Sequence, residues 1–112
     1  MAERVHRVTM FKLPNKQHQE TLIEAYKVLS SEQKRDGKPY ILSLVVGPAL
    51  DDPRSKGFTL VAKTEFASLD DMRWYDSDCP AHDKLKGLVR EFGIGPDEIL
   101  SIYFEPGHVA VI

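Results

Sequence analysis

Residues Gly57–His82 read GFTLVAKTEFASLDDMRWYDSDCPAH, and this stretch decides the fold because a strand passes directly into a capped helix that a proline then restarts. From Phe58 to Phe66 every second side chain (Phe58, Leu60, Ala62, Thr64, Phe66) can face a core, while Thr59, Lys63 and Glu65 point away. That is the period of a strand with one apolar face. Ser68 stands three residues before Asp71, a weaker form of the capping box, and opens a helix with Leu69, Met72 and Tyr75 on one stripe. Pro80 suits the first position of a renewed helix, and His82 then falls in its first turn.

Working outward, Val5–Lys12 alternates as a first strand that Pro14 closes. From Asn15, a helix cap, to about Gln33, Leu22, Ile23, Tyr26 and Leu29 recur at helical spacing. Tyr40–Val46 is a short apolar run read as a buried strand, and GPALDDPRSKG is the loop before the third. The second helical region runs through Leu85, Leu88, Val89 and Phe92 to a glycine stop at Gly93, and EILSIYFEP supplies the last strand. The order β-α-β-β-α-β is the ferredoxin-like α+β arrangement, with the helices on one face of a four-stranded antiparallel sheet.

The more apolar alternate positions are assigned to the helices: His6, Val8 and Met10 on the first strand, Tyr40, Leu42 and Leu44 on the second, Phe58, Leu60 and Ala62 on the third, and Leu100, Ile102 and Phe104 on the last. The opposite set, including Val5, Ile41, Val45, Val61, Ile99 and Tyr103, is too apolar for a wet surface. A homodimer through this sheet face, closing a dimeric α+β barrel, is the expectation, with GHVAVI as a clasp on the neighbour.

At 112 residues the chain reads as a single domain over 1–112, with a core of about 3–106 and a tail of 107–112. Such a chain buries roughly 65% of its unfolded surface and needs no disulfide or metal to fold. A formal net charge of −2 gives no basic face for nucleic acid. The lone Cys79 excludes an internal disulfide and fits a reducing compartment. MAERVHRVTMFKL lacks the apolar run of a signal peptide and no stretch reaches membrane-span length, so a cytoplasmic location away from membranes is expected. Gly93-Ile94-Gly95 follows a helix and precedes a strand, the reverse of a phosphate-binding turn.

Two histidines stand out. His18 lies on the polar side of the first helix and His108 in the tail, which leaves His6 and His82. His82 precedes Leu85 by three residues and Leu88 by six, on the inward stripe. A helix N-terminus disfavours added positive charge, so its imidazole is expected to stay neutral and able to accept a proton. The structural alternative is a histidine satisfied by a backbone carbonyl. Tyr26, inward on the first helix, and Tyr75, on the second, each supply a phenol that can donate to a carbonyl or enolate oxygen, or simply fill the core. Trp74 points elsewhere than Tyr75 and is read as a pocket cap or subunit-boundary residue. Cys79 is read as inert, and the Asp70, Asp71, Asp76 and Asp78 run as helix-start charge, not as a metal site.

VHRVTMFKL, GFTLVAKTEFASLDDMRWY, CPAH and ILSIYFEP together resemble the stress-responsive A/B barrel (Dabb) family, its fungal members most. The resemblance implies a dimeric α+β barrel. Through a plant polyketide cyclase of that family it also implies cofactor-free acid–base chemistry, with His82 and Tyr75 as catalytic residues and His6 and Tyr26 as pocket residues. Tyr75 matches only approximately, because one extra residue separates it from P-A-H. Leu60 stands where that cyclase has a histidine, so the pocket loses a polar group there. The expected function is therefore a cofactor-free enzyme of cyclase, tautomerase or lyase type, using His82, Tyr26 and Tyr75 on a small apolar carbonyl compound bordered by His6, Leu60 and Trp74. The alternatives are a non-catalytic dimeric stress-response or ligand-binding protein and a haem-degrading or quinol monooxygenase.

Overall fold

The computed structural model describes residues 4–112, so residues 1–3, with which the assigned domain begins, lie outside the described residues. Strand β1 (Val5–Phe11) leads to helix α1 (Lys16–Glu32), then β2 (Ile41–Pro48), β3 (Leu60–Phe66), α2 (Leu69–Ser77), α3 (Pro80–Glu91) and β4 (Ile99–Phe104). The strands form one sheet in the order β2-β3-β1-β4, every neighbouring pair antiparallel. This is the ferredoxin-like fold, with the second helical region divided in two.

Local chemistry sets the helix ends. Asn15 Oδ1 accepts from the backbone N–H of Gln17 at 2.8 Å and of His18 at 3.3 Å, and Ser68 Oγ accepts from Asp71 N–H at 3.1 Å. Each cap satisfies donors that the first helical turn leaves unpaired. At the α2–α3 junction Asp78 and Cys79 both donate backbone N–H to the Trp74 carbonyl, and Pro80 occupies the start of α3, where no N–H is needed. Gly93, at φ +74°, stops α3 in the left-handed region.

The assignment of sheet faces needs correction on three strands. On β3, Leu60, Ala62, Thr64 and Phe66 are buried beneath the helices as expected, although the strand begins at Leu60 and Phe58 precedes it. Val5 pairs with Phe66, Arg7 with Thr64, Thr9 with Ala62 and Phe11 with Leu60, so the helix-facing side of β1 is Val5, Arg7, Thr9 and Phe11. His6, Val8 and Met10 lie on the outer face. On β4, Ile99, Ser101 and Tyr103 oppose Phe11, Thr9 and Arg7, which turns Leu100, Ile102 and Phe104 outward. On β2 the register shifts between Ile41 and Ser43, leaving Tyr40 buried and Leu44 facing inward opposite Thr64, while Leu42 is exposed. Directly opposed residues share a face, and a one-residue slip inverts a strand. Because both faces carry apolar side chains, polarity alone selects the wrong set.

The core lies between this sheet and the helices. Tyr40, Phe66 and Tyr75 form an aromatic run with centroid distances of 6.0 Å between Tyr40 and Phe66 and 5.1 Å between Phe66 and Tyr75, and Leu22, Leu29, Met72 and Leu85 fill the space around them. Among the described residues, no helix is long and apolar enough to cross a membrane.

Candidate active site

A cavity of about 230 Å³ opens between α1, α3 and the β1–β4 half of the sheet. Tyr26 reaches it from α1, His82, Leu85, Lys86, Val89 and Arg90 from α3, Arg7, Thr9 and Phe11 from β1, and Ile99 and Ser101 from β4. The α3 contribution follows from spacing: residues 82, 85, 86 and 89 recur on one helical face.

His82 is buried, and its ring stacks on that of Tyr75 with centroids 3.7 Å apart and planes 10° from parallel. Its Nδ1 lies 2.8 Å from the Tyr75 backbone carbonyl. A carbonyl can only accept, so Nδ1 carries the hydrogen and Nε2 keeps the lone pair. Among the described residues no group bonds Nε2. Burial holds the imidazole down to about 3, against the opposing effect of the bond to the Tyr75 carbonyl, while the nearby charges of Arg7 and Lys86 lower it further. The ring is therefore neutral throughout the ordinary pH range. Tyr26 is pushed up to about 12 by burial, with Arg7 acting in the opposite sense, so its phenol keeps its proton and can donate.

A polar chain runs along the floor. Arg7 Nη2 lies 3.0 Å from Asp76 Oδ1, and the same oxygen is 3.9 Å from His82 Nδ1. Arg7 Nη1 donates to Thr9 Oγ1 at 2.6 Å, and Thr9 Oγ1 lies 3.1 Å from Ser101 Oγ. The Arg7 guanidinium carbon lies 5.4 Å from the Tyr75 ring centroid. The floor thus ties the end of α2 to β1 and presents charge beneath the histidine.

Of the residues singled out from sequence, His82 and Tyr26 line this cavity together. Tyr75 does not line it: it supports His82 from behind, and its own hydroxyl is buried without a partner among the described residues. His6 lies on the outer sheet face, stacked on Phe104 at 5.3 Å and 3.7 Å from Glu65 Oε1. Leu60 is fully buried in the core opposite Phe11. Trp74 packs edge-on against Tyr40 at 5.1 Å, with Arg35 over its ring. Sequence reasoning missed Arg7, Thr9, Ser101, Lys86 and Arg90. Lys86 was legible as the residue one turn beyond His82, and Arg7 only through the pairing of β1 with β3.

Comparison with known proteins agrees with this architecture. Residues 5–94 match the family described as Stress responsive A/B Barrel Domain, or Dabb. A protein of Gibberella zeae described as a fusaristatin A biosynthesis cluster protein is 46% identical over 106 residues, covering 95% of this chain and 75% of that protein. Among solved structures, a dimeric ferredoxin-like protein of unknown function from Jannaschia sp. CCS1 aligns with a TM-score of 0.73 at 18% identity, over 92% of this chain and 99% of that one. A hydroxynitrile lyase from Passiflora edulis aligns with a TM-score of 0.73 at 16% identity, over 99% of this chain and 100% of that one. At these identities the two structures share the fold, which is one that carries small-molecule enzymes.

Proposed function

The chain belongs to the stress-responsive A/B barrel family, and on that footing we propose that it is a cofactor-independent acid–base enzyme acting on a small, largely apolar carbonyl compound. The observation that carries this is the division of labour within His82: Nδ1 is committed to the Tyr75 carbonyl, Nε2 bonds no group among the described residues, and the residue lines the same cavity as Tyr26, whose phenol keeps its proton. In this reaction Nε2 takes a proton from the carbon beside a carbonyl while Tyr26 donates a hydrogen bond to the oxygen on which charge develops. The empty-site ring is too weak a base to hold a proton. A developing anion beside it favours the protonated form, so the proton stays only while the enolate is present. The enolate then attacks a second carbonyl, takes its proton back at another atom, or expels a leaving group, which gives the cyclase, tautomerase and lyase outcomes. The relative's place in a biosynthetic cluster and the lyase sharing the fold support this class.

The test is wash-in of solvent deuterium at the carbon beside the carbonyl across a panel of small ketones and keto acids. His82→Ala should lower the rate by a factor on the order of 10² to 10⁴ while the fold is kept, as judged by circular dichroism. An unchanged rate overturns the assignment. The close stacking of His82 on Tyr75 favours a second reading, a non-catalytic ligand-binding protein, in which the same variant would lower the melting temperature and no wash-in would occur.

The assembly proposed is a homodimer through the outer sheet face. Val45, Leu100, Ile102 and Phe104 stand between 39% and 64% exposed there, together with Val8 and Met10. A monomer gains nothing from so apolar a surface. Val109, Val111 and Ile112 of the tail are exposed, and in this assembly they clasp the neighbour.

A further inference from the structure

Arg7 is the least expected residue of the site. It occupies the helix-facing side of a central strand, in line with Val5, Thr9 and Phe11, and its side chain is only 11% exposed. Taking a guanidinium out of water is costly unless partners compensate. Its terminal nitrogens have Asp76 and Thr9, but Nε is buried and has no hydrogen-bond partner among the described residues. Asp76 is 40% exposed, so solvent weakens the compensation it offers.

Two more cations line the same cavity. Lys86 donates to the Asp76 backbone carbonyl and lies 3.8 Å from Asp83, whereas Arg90 has no ion pair among the described residues. Among the described residues, no acidic side chain lines the cavity. With Asp76 and Asp83 set against two of the three cations, one positive charge is left over. The hydroxyl chain has a matching sense: arginine can only donate, so Thr9 accepts from it and can pass its own hydrogen to Ser101, freeing the Ser101 hydrogen for an acceptor in the cavity. The remaining walls are apolar, from Phe11, Leu85, Val89 and Ile99.

We infer that the cavity takes a small apolar monocarboxylate, its acid group held by the cations Arg7, Lys86 and Arg90 with the Ser101 hydroxyl, and its carbonyl presented to His82 and Tyr26. The second half of this statement rests on the catalytic function proposed above; the first half does not. At about 230 Å³ the space suits a single ring or short chain, below the ~300–1,000 Å³ usual for drug-sized ligands. The same carboxylate also conditions the base. Burial is the main cause of the depression of His82, and the smaller part that comes from Arg7 and Lys86 is answered when the anion binds, so compounds that carry the acid group raise its proton affinity further.

The test titrates the full chain with benzoate and with benzamide at low salt, following backbone amide shifts by NMR. Benzoate should bind about tenfold more tightly than its neutral analogue, with shifts centred on α3 and β4. Arg90→Gln, on an exposed position, and Arg7→Gln should each weaken benzoate by at least about threefold more than they weaken benzamide. Equal affinities, no binding of either probe, or a benzoate preference untouched by both variants would overturn the inference. His82→Ala should retain the preference. A protein that prefers benzoate but shows no His82-dependent deuterium wash-in refutes the catalytic function alone, and one that shows the wash-in without the preference refutes the carboxylate site alone.

Discussion

His82 carries both the proposed chemistry and a pH-dependent share of the stability. Buried and neutral, it has a folded value of about 3 against an ordinary 6.5. Between these two values the unfolded chain binds a proton that the folded chain refuses, so acidification favours unfolding. The contribution is fully present above pH 6.5 and is lost as pH falls towards 3, by up to about 1.4 kcal/mol per pH unit. His82→Phe keeps a ring over Tyr75 but cannot titrate. Its unfolding free energy should be lower at pH 7, because the Tyr75 carbonyl loses its donor, and should fall less steeply than that of the parent between pH 6.5 and 4. Denaturant titrations at several pH values measure the difference, and parallel curves would contradict the burial of a neutral ring. This residue and Tyr26 were legible in the sequence because helical spacing puts each on a stripe with leucines. Arg7 was not, since a charged residue among alternating apolar ones reads as outward until its pairing partners are known.

Elements differ in how much of their placement is local. Helix ends are local: Asn15, Ser68, Pro80 and Gly93 mark them in the sequence, and the structure puts the boundaries at those residues. Asn15→Ala removes the acceptor of two N–H groups of α1 and should cost about 1 kcal/mol in unfolding free energy by denaturant titration, with little effect on ligand binding. A change below a few tenths would show that water replaces the cap. Strand facing is not local. For β3 the alternation of Leu60, Ala62, Thr64 and Phe66 against Val61, Lys63 and Glu65 is clean and gives the right side. For β1 and β4 both alternations are plausible, and the choice follows from cross-strand register to β3 and from the room that the cavity makes for Arg7, Thr9 and Ser101. The inversion of β1 carried His6 out of the site and brought Arg7 in.

At the scale of the whole molecule the fold leaves one sheet face covered by helices and the other bare and apolar, which is why an identical subunit is proposed as its cover. Ile102→Lys places a charge on that face, where Ile102 opposes Val8 and makes no part of the cavity. Light scattering coupled to gel filtration should show a dimer for the parent and a monomer for the variant, and a monomeric parent would refute the proposed assembly. The order of strands and helices was legible from the sequence, and the proposal of a partner rests on an outer face whose β-branched and aromatic residues are anomalous on either assignment. The cavity was not, because it arises where α1 and α3 cover β1 and β4 incompletely, a matter of packing that no single segment encodes. The proposed function requires that this cavity perform proton transfer with the chain's own side chains. Its most direct measurement is deuterium wash-in into a small keto acid by chelator-treated protein, with His82→Ala beside the parent. The parent rate should be unaffected by the chelator and the variant rate lower by about 10² or more; equal rates for parent and variant, or a parent rate abolished by the chelator, would refute proton transfer by these side chains.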